Sequence, residues 1–121
     1  MTTLLVGLAG AAGAVARYRI GMVIGLRAFP WATLLVNVAG CFALALVLAG
    51  PGGDRWSPTA TAAVTIGFLG AFTTFSTFGW ETFTLLRGDQ YGRAATYVVV
   101  SLGLGLAATA LGWVAGRALV S

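Results

Sequence analysis

The sequence contains no histidine, no lysine and a single cysteine, Cys41. Without imidazole the chain lacks the most common general base and the usual nitrogen ligand of metal sites. One cysteine cannot form a disulfide within the chain, and in an apolar run it is typical of a small buried side chain. No nucleotide-binding loop and no closely spaced pair of acids is present, so nothing in the sequence indicates an enzyme.

Charged residues are also scarce, at 8% of the chain, against roughly 25% in an ordinary soluble domain. The net charge of +4 comes from scattered arginines, whereas a nucleic-acid surface needs a clustered basic face. Hydrophobic residues make up 59% of the chain, and the mean hydropathy is +0.94. This composition indicates an integral membrane protein with one domain over residues 1–121.

Four segments are long and apolar enough for a membrane crossing, which takes about 20 mostly apolar residues. The loop at 50–58 carries Gly, Pro and Asp, the loop at 87–93 carries Gly and Asp, and both predict turns. The first segment has no basic start and a longer apolar run than a signal peptide, so we interpret it as a mature span. The sequence predicts an all-α protein of four transmembrane helices, at about Thr3–Leu26, Trp31–Ala49, Thr59–Leu86 and Ala95–Val120.

The third segment is too long for one straight crossing, and its middle is unusually polar. Four hydroxyl side chains stand where a membrane helix normally carries Leu, Ile or Val: Thr73, Thr74, Ser76 and Thr77. An interrupted backbone cannot face hydrocarbon, because each unpaired N–H or C=O costs several kcal/mol. We therefore expect a broken helix that faces protein, water or an ion.

Other polar side chains lie in pairs with helical spacing. Thr33 and Asn37 share one face of the second segment, and Tyr97 and Ser101 share one face of the fourth. Each is consistent with an interhelical hydrogen bond or with a donor aimed at an anion path, and spacing alone leaves both open.

The third segment also holds Phe75, Phe78 and Glu81, spaced three apart. Phenylalanine in a membrane helix usually packs or faces lipid, but a ring edge is electropositive and can face an anion without binding it tightly. Arg17 would cost about 2.5–3.5 kcal/mol at the membrane centre, so we expect it near the interface or bound to backbone carbonyls.

Glycine pairs four apart, Gly21 with Gly25 and Gly112 with Gly116, are compatible with close helix packing, although glycine is abundant throughout. A chain with so little interior could more easily form a polar site between two subunits than within one. The arginines near segment ends divide three to two between the two sides, or five to two if Arg17 and Arg19 are counted. The orientation is therefore weakly determined, with a lean to an outside N-terminus. That weak bias permits insertion in both directions.

Three blocks give the chain a resemblance, over essentially its whole length, to the Fluc (CrcB) family of bacterial fluoride channels. They are Gly10-Ala-Ala-Gly-Ala-Val-Ala-Arg17-Tyr18, Thr33-Leu-Leu-Val-Asn37-Val-Ala-Gly40 and Gly67-Phe-Leu-Gly70-Ala-Phe-Thr73-Thr-Phe75-Ser-Thr-Phe78. The third block is highly specific. The sequence departs from the family pattern at Ala32 and Gly105, and neither position touches the aromatic pair.

The resemblance implies an antiparallel, dual-topology dimer with two fluoride pores in the bacterial plasma membrane. It implies that the pore is lined by Asn37, the rings of Phe75 and Phe78, and the hydroxyls of Tyr97 and Ser101, and that a hydroxyl track continues through Thr74, Ser76, Thr77 and Glu81. Thr33 lies on the same face as Asn37 and is included in the predicted lining. Arg17 matches a structural arginine. Gly70 and Thr73 match the break whose backbone carbonyls hold a central structural sodium ion, which is not transported.

The implied function is passive export of cytoplasmic fluoride, which reduces fluoride toxicity. The main alternative is a small multidrug or guanidinium exporter, but such proteins use an acid in the first helix, and Thr3–Leu26 contains none. A non-transporting scaffold subunit is a second alternative. The partner copy could be identical or a paralogue of opposite orientation.

Overall fold

The computed structural model describes all residues from Met1 to Ser121 and is entirely helical, with no strand. The all-α class predicted from the sequence is therefore confirmed. The elements are α1 (Thr2–Ile24), α2 (Trp31–Ala49), α3 (Pro51–Asp54), α4 (Pro58–Ala62), a π-helical segment (Ala63–Leu69), α5 (Gly70–Phe72), α6 (Phe75–Arg87) and α7 (Tyr91–Val120).

Three stretches are long and apolar enough to cross a membrane: Trp31–Ala49, Pro58–Arg87 and Tyr91–Val120. The predicted bounds of the second segment agree with α2. Helix α1 is 23 residues long but is not among the three, since Arg17 and Arg19 lower its hydropathy.

Two helix ends differ from the prediction by a few residues. Helix α1 stops at Ile24 because Gly25 adopts a φ of 70°, which glycine tolerates best. Helix α7 begins at Tyr91 rather than Ala95, because only residues 88–90 form the preceding turn. The predicted turn at 50–58 contains the short helix α3.

Glycines allow the helices to pack closely in two places. On α7, a Cβ at Gly116 would lie 2.6 Å from the Leu46 carbonyl of α2, and one at Gly112 would overlap the Phe42 carbonyl. On α1, a Cβ at Gly13 would overlap the Phe68 carbonyl of the π-helical segment. Helix α2 thus packs on α7, and α1 packs on the π-helical segment.

The helical stretch that contains the hydroxyl-rich residues is interrupted at two of them. Thr73 (φ −85°, ψ 158°) and Thr74 (φ −152°, ψ 114°) are extended, and they separate α5 from α6. The π-helical segment ends at Leu69, and only the short helix α5 separates it from these two residues. Such wide turns often occur at functional sites. Nothing in the hydrophobic pattern predicted the π-helical segment.

Candidate functional site

The backbone of Thr74, at the centre of the break, is bound on both sides by one side chain of α2. The Thr74 N–H donates to Asn37 Oδ1 at 2.8 Å, and Asn37 Nδ2 donates to the Thr74 carbonyl at 3.0 Å. The Asn37 Oδ1 atom thus replaces the carbonyl partner that the Thr74 N–H would have in a continuous helix, which avoids the cost of an unpaired backbone N–H in a membrane. One N–H of the Asn37 amide remains free for another acceptor.

A second side chain reaches the break from α1. Arg17 Nε donates to the Ala71 carbonyl at 3.1 Å, and the arginine is half-buried. This contact agrees with the expectation that Arg17 binds backbone carbonyls. Since an arginine in a membrane segment is costly, a charge-assisted hydrogen bond to a freed carbonyl is one way to offset that cost.

Threonine hydroxyls complete the hydrogen bonding around the break. Thr74 Oγ1 accepts from the Thr77 N–H at 3.2 Å and so caps the N-terminus of α6. In a continuous helix, the N–H groups of Thr74 and Thr77 would bond the carbonyls of Gly70 and Thr73. Because both N–H groups are bound to side chains, these two carbonyls lose their helical donors.

The break opens into a cavity of about 320 Å³, which we call the ring cavity. Phe75 and Phe78 lie on one side with ring centroids 5.8 Å apart at a tilt of 42°. Ser101 Oγ is buried in this region and has no hydrogen-bond partner. The remaining lining residues are Asn37, Gly40, Cys41, Leu44, Thr65, Leu69, Gly70, Thr73, Thr74 and Leu102.

A wider cavity of about 970 Å³, which we call the outer cavity, also borders the break. Four of the predicted site residues line the outer cavity: Arg17, Thr33, Thr77 and Glu81. Thr74 lines both cavities. Thr33 Oγ1 donates to Glu81 Oε1. The predicted polar residues therefore divide into two groups that meet at Thr74.

Two predicted residues are placed differently from the simple pore-lining expectation. Tyr97 is fully buried, lines neither cavity and directs its hydroxyl to Glu81 Oε2 at 3.5 Å. Ser76 is exposed on the surface of the single chain and lies outside both cavities. The two α7 residues of the predicted pair, Tyr97 and Ser101, thus have different surroundings.

Phe29 was not identified from the sequence as a neighbour of the predicted site residues. Phe29, in the loop before α2, packs its ring against Tyr97 with centroids 5.5 Å apart. The two residues are far apart in the chain and share no helical spacing. Only its position directly before Pro30 marked Phe29 as part of an ordered turn.

Comparison with known proteins gives a family match over most of the chain. The family described as "CrcB-like protein, Camphor Resistance (CrcB)" matches residues 4–113. A protein of Geobacter sulfurreducens named "Fluoride-specific ion channel FluC" is 46% identical and covers 98% of this chain and 100% of its own length.

Two relatives whose names carry a number are about as similar to this chain as the Geobacter protein. "Fluoride-specific ion channel FluC 1" of Symbiobacterium thermophilum is 44% identical over 93% of this chain and 98% of its own. "Fluoride-specific ion channel FluC 2" of Moorella thermoacetica is 42% identical over 98% of this chain and 99% of its own. These relatives are named as channels rather than as enzymes.

Helices long enough to cross a bilayer and full-length similarity to bacterial proteins named as channels make this a multi-pass bacterial membrane protein. The three sequence blocks that carried the resemblance all lie within the matched residues 4–113. The chain belongs to the CrcB family.

Proposed function

We propose that this protein is a fluoride-selective channel that lets cytoplasmic fluoride leave the cell passively and so reduces fluoride toxicity. The observation that carries the proposal is the ring cavity, where the Asn37 amide, the Ser101 hydroxyl and two phenylalanine rings surround one space beside the break. The full-length similarity to proteins named as fluoride-specific channels supports the choice of ion.

Fluoride is small and strongly hydrated, so a pore must replace its water with other donors. A free amide N–H and an unpartnered hydroxyl supply such donors, while phenylalanine edges add a weak positive potential. Conduction requires that the ion bind well enough to enter and weakly enough to leave. Neutral donors and ring edges in the ring cavity meet that requirement better than a cationic side chain, which would bind the anion too tightly to release it.

The proposed assembly is an antiparallel dimer in which each copy crosses the membrane four times and the third crossing is broken. Gly70, Phe75 and Ser76 are exposed on the single chain beside the extended residues of the break. A backbone of this kind is tolerated at membrane depth only where protein or water covers it, and a second copy would provide the cover. A paralogue could replace the identical copy, as relatives numbered 1 and 2 suggest for other bacteria.

The donor set at the break also fits a structural sodium ion. The carbonyls of Gly70 and Thr73 have lost their helical N–H partners to Asn37 and Thr74, and carbonyls of unwound helices are known sodium ligands in membrane proteins. Neutral oxygens suit a monovalent ion better than a divalent one, whose charge would stay uncompensated. A bound sodium would join the two copies at their breaks and would not be transported.

Reconstituted alone in liposomes, the protein should pass fluoride with no proton coupling. Chloride flux should be lower by at least about 100-fold, a difference of about 3 kcal/mol, because the donors are matched to a small ion. Efflux measured with a fluoride-selective electrode and with a chloride electrode on the same preparation tests this directly.

The same experiment separates the alternatives. Proton-coupled efflux of a cationic dye would favour the small exporter, and a complete lack of flux would favour a scaffold subunit. Equal fluoride and chloride currents would contradict a fluoride-selective channel.

Removing sodium should weaken the dimer. A ligand whose free concentration is about 100 times its dissociation constant stabilises the state it binds by about 2.7 kcal/mol. Replacing sodium with N-methyl-D-glucamine should therefore lower the melting temperature of the detergent-solubilised dimer. Thr73→Ser is the matched control, because serine keeps the main-chain ligand and the hydroxyl bond to the Leu69 carbonyl. Identical melting with and without sodium would exclude the site.

A further inference from the structure

Aromatic rings form an unbroken line from the loop before α2 to the ring cavity. Phe29 meets Tyr97 edge to face at 78°, and Tyr97 meets Phe78 with ring centroids 5.0 Å apart. Phe78 then contacts Phe75, which also lines the cavity. These separations and tilts lie in the range in which aromatic pairs attract each other beyond simple burial.

The backbone around Phe29 is ordered by a tight turn. Pro30 has a φ of −80° and a ψ of 68°, and the Trp31 N–H donates to the Phe29 carbonyl at 2.9 Å. These values define an inverse γ-turn, and proline favours its φ. The Trp31 ring lies against Phe29 with centroids 4.8 Å apart, so the turn and this contact hold the Phe29 ring towards the bundle.

Among the aromatic rings, Tyr97 alone contacts both Phe29 and Phe78. Its side chain is fully buried, with Phe29 and Phe78 packed against it and its hydroxyl directed to Glu81. A ring fixed by two neighbours and one hydrogen bond has a single orientation. Loss of the Phe29 ring would leave space beside Tyr97, and Phe78 could then tilt away from the cavity.

We propose that Phe29 is a positioning residue for the pore: through Tyr97 it holds the Phe78 ring edge at the ring cavity. This inference rests on the proposed fluoride conduction, because the Phe78 edge matters only if an anion passes it. It assigns a role in conduction to the loop at residues 25–30, which also lines the outer cavity.

Phe29→Leu in reconstituted protein tests the proposal, since leucine keeps most of the apolar volume and loses the ring. Fluoride flux per folded dimer should fall roughly twofold to tenfold, the range expected for one aromatic pair, and Phe29→Tyr should restore it. Phe83→Leu is the matched control, because Phe83 is an exposed phenylalanine with no ring neighbour and should keep wild-type flux.

A double-mutant cycle shows whether Phe29 acts through Tyr97. In a Tyr97→Leu background, Phe29→Leu should cause no further loss, because the link is already gone. Independent, multiplying losses would overturn the proposal, as would wild-type flux in Phe29→Leu. If Phe29→Leu does not yield a dimer, Phe29→Met, which adapts to an irregular space, is judged by the same criteria.

A second readout keeps this inference separate from the proposed function. The near-ultraviolet circular dichroism of Tyr97 is taken, for each Phe29 variant, as the difference from the same variant carrying Tyr97→Phe. This signal should change in Phe29→Leu and return in Phe29→Tyr. An unchanged tyrosine signal would overturn the positioning role. Lack of fluoride flux in the wild-type protein, with a changed tyrosine signal in Phe29→Leu, would instead contradict the channel function alone.

Discussion

Replacing Phe78 with isoleucine should reduce fluoride flux by roughly 5- to 150-fold while leaving a folded dimer. The ring of Phe78 contacts both Phe75 and Tyr97 and lines the ring cavity. Isoleucine keeps much of the apolar volume but removes the electropositive edge and two aromatic pairs, each worth about 0.5–1.5 kcal/mol. Fluoride efflux from liposomes, normalised to the dimer recovered by gel filtration, measures the loss.

Phe75→Ile should also reduce flux, by a smaller factor, because Phe75 has one ring neighbour and is exposed on the single chain. Phe83→Ile is again the matched control and should behave as the wild type. If Phe75→Ile and Phe78→Ile both conducted fluoride normally, the two rings would be ordinary packing residues and the ring cavity would not be the conduction path.

Asn37→Asp should abolish most fluoride flux, with a reduction of at least about 100-fold. An ionised aspartate can still accept from the Thr74 N–H, but it cannot donate to the Thr74 carbonyl, which now lies 3.0 Å from Asn37 Nδ2. Two oxygens would face each other there, and breaking a buried hydrogen bond next to a charge costs about 3–5 kcal/mol. The new negative charge would also repel an anion in the cavity.

Asn37→Ser separates the two effects, because serine is neutral but too short to reach both backbone atoms of Thr74. We expect reduced flux together with faster hydrogen exchange at the Thr74 amide, since its partner is lost. Liposome efflux and exchange measured by mass spectrometry provide the two readouts. Slow exchange at Thr74 in Asn37→Ser would show that Asn37 does not hold the break.

Much of the fold was predictable because the free-energy cost of placing polar groups in a membrane depends on the residue types within each segment, which the sequence gives directly. The α2 bounds and the helical class follow from hydropathy and from the need to satisfy backbone hydrogen bonds in lipid. The expectation that Arg17 binds a backbone carbonyl followed from the same cost.

The partners of the polar residues were less predictable, since they depend on which helices meet. Helical spacing paired Thr33 with Asn37 and Tyr97 with Ser101, but the members of each pair have different surroundings. Thr33 and Tyr97 form hydrogen bonds with Glu81. Asn37 and Ser101 line the ring cavity. Neighbours on one helix face can have different partners when the opposing helix is interrupted between those partners, as it is at residues 73–74.

By itself, the sequence determined the membrane class, the helical class and the family, because each depends on composition or on a contiguous block of residues. Only the tertiary structure decided which side chains bond the backbone at the interruption between α5 and α6. Asn37 and Arg17 come from two other helices to bond Thr74 and Ala71, and Phe29 reaches Tyr97 from a loop. These contacts join residues far apart in the chain, and their geometry exists only once the helices have packed.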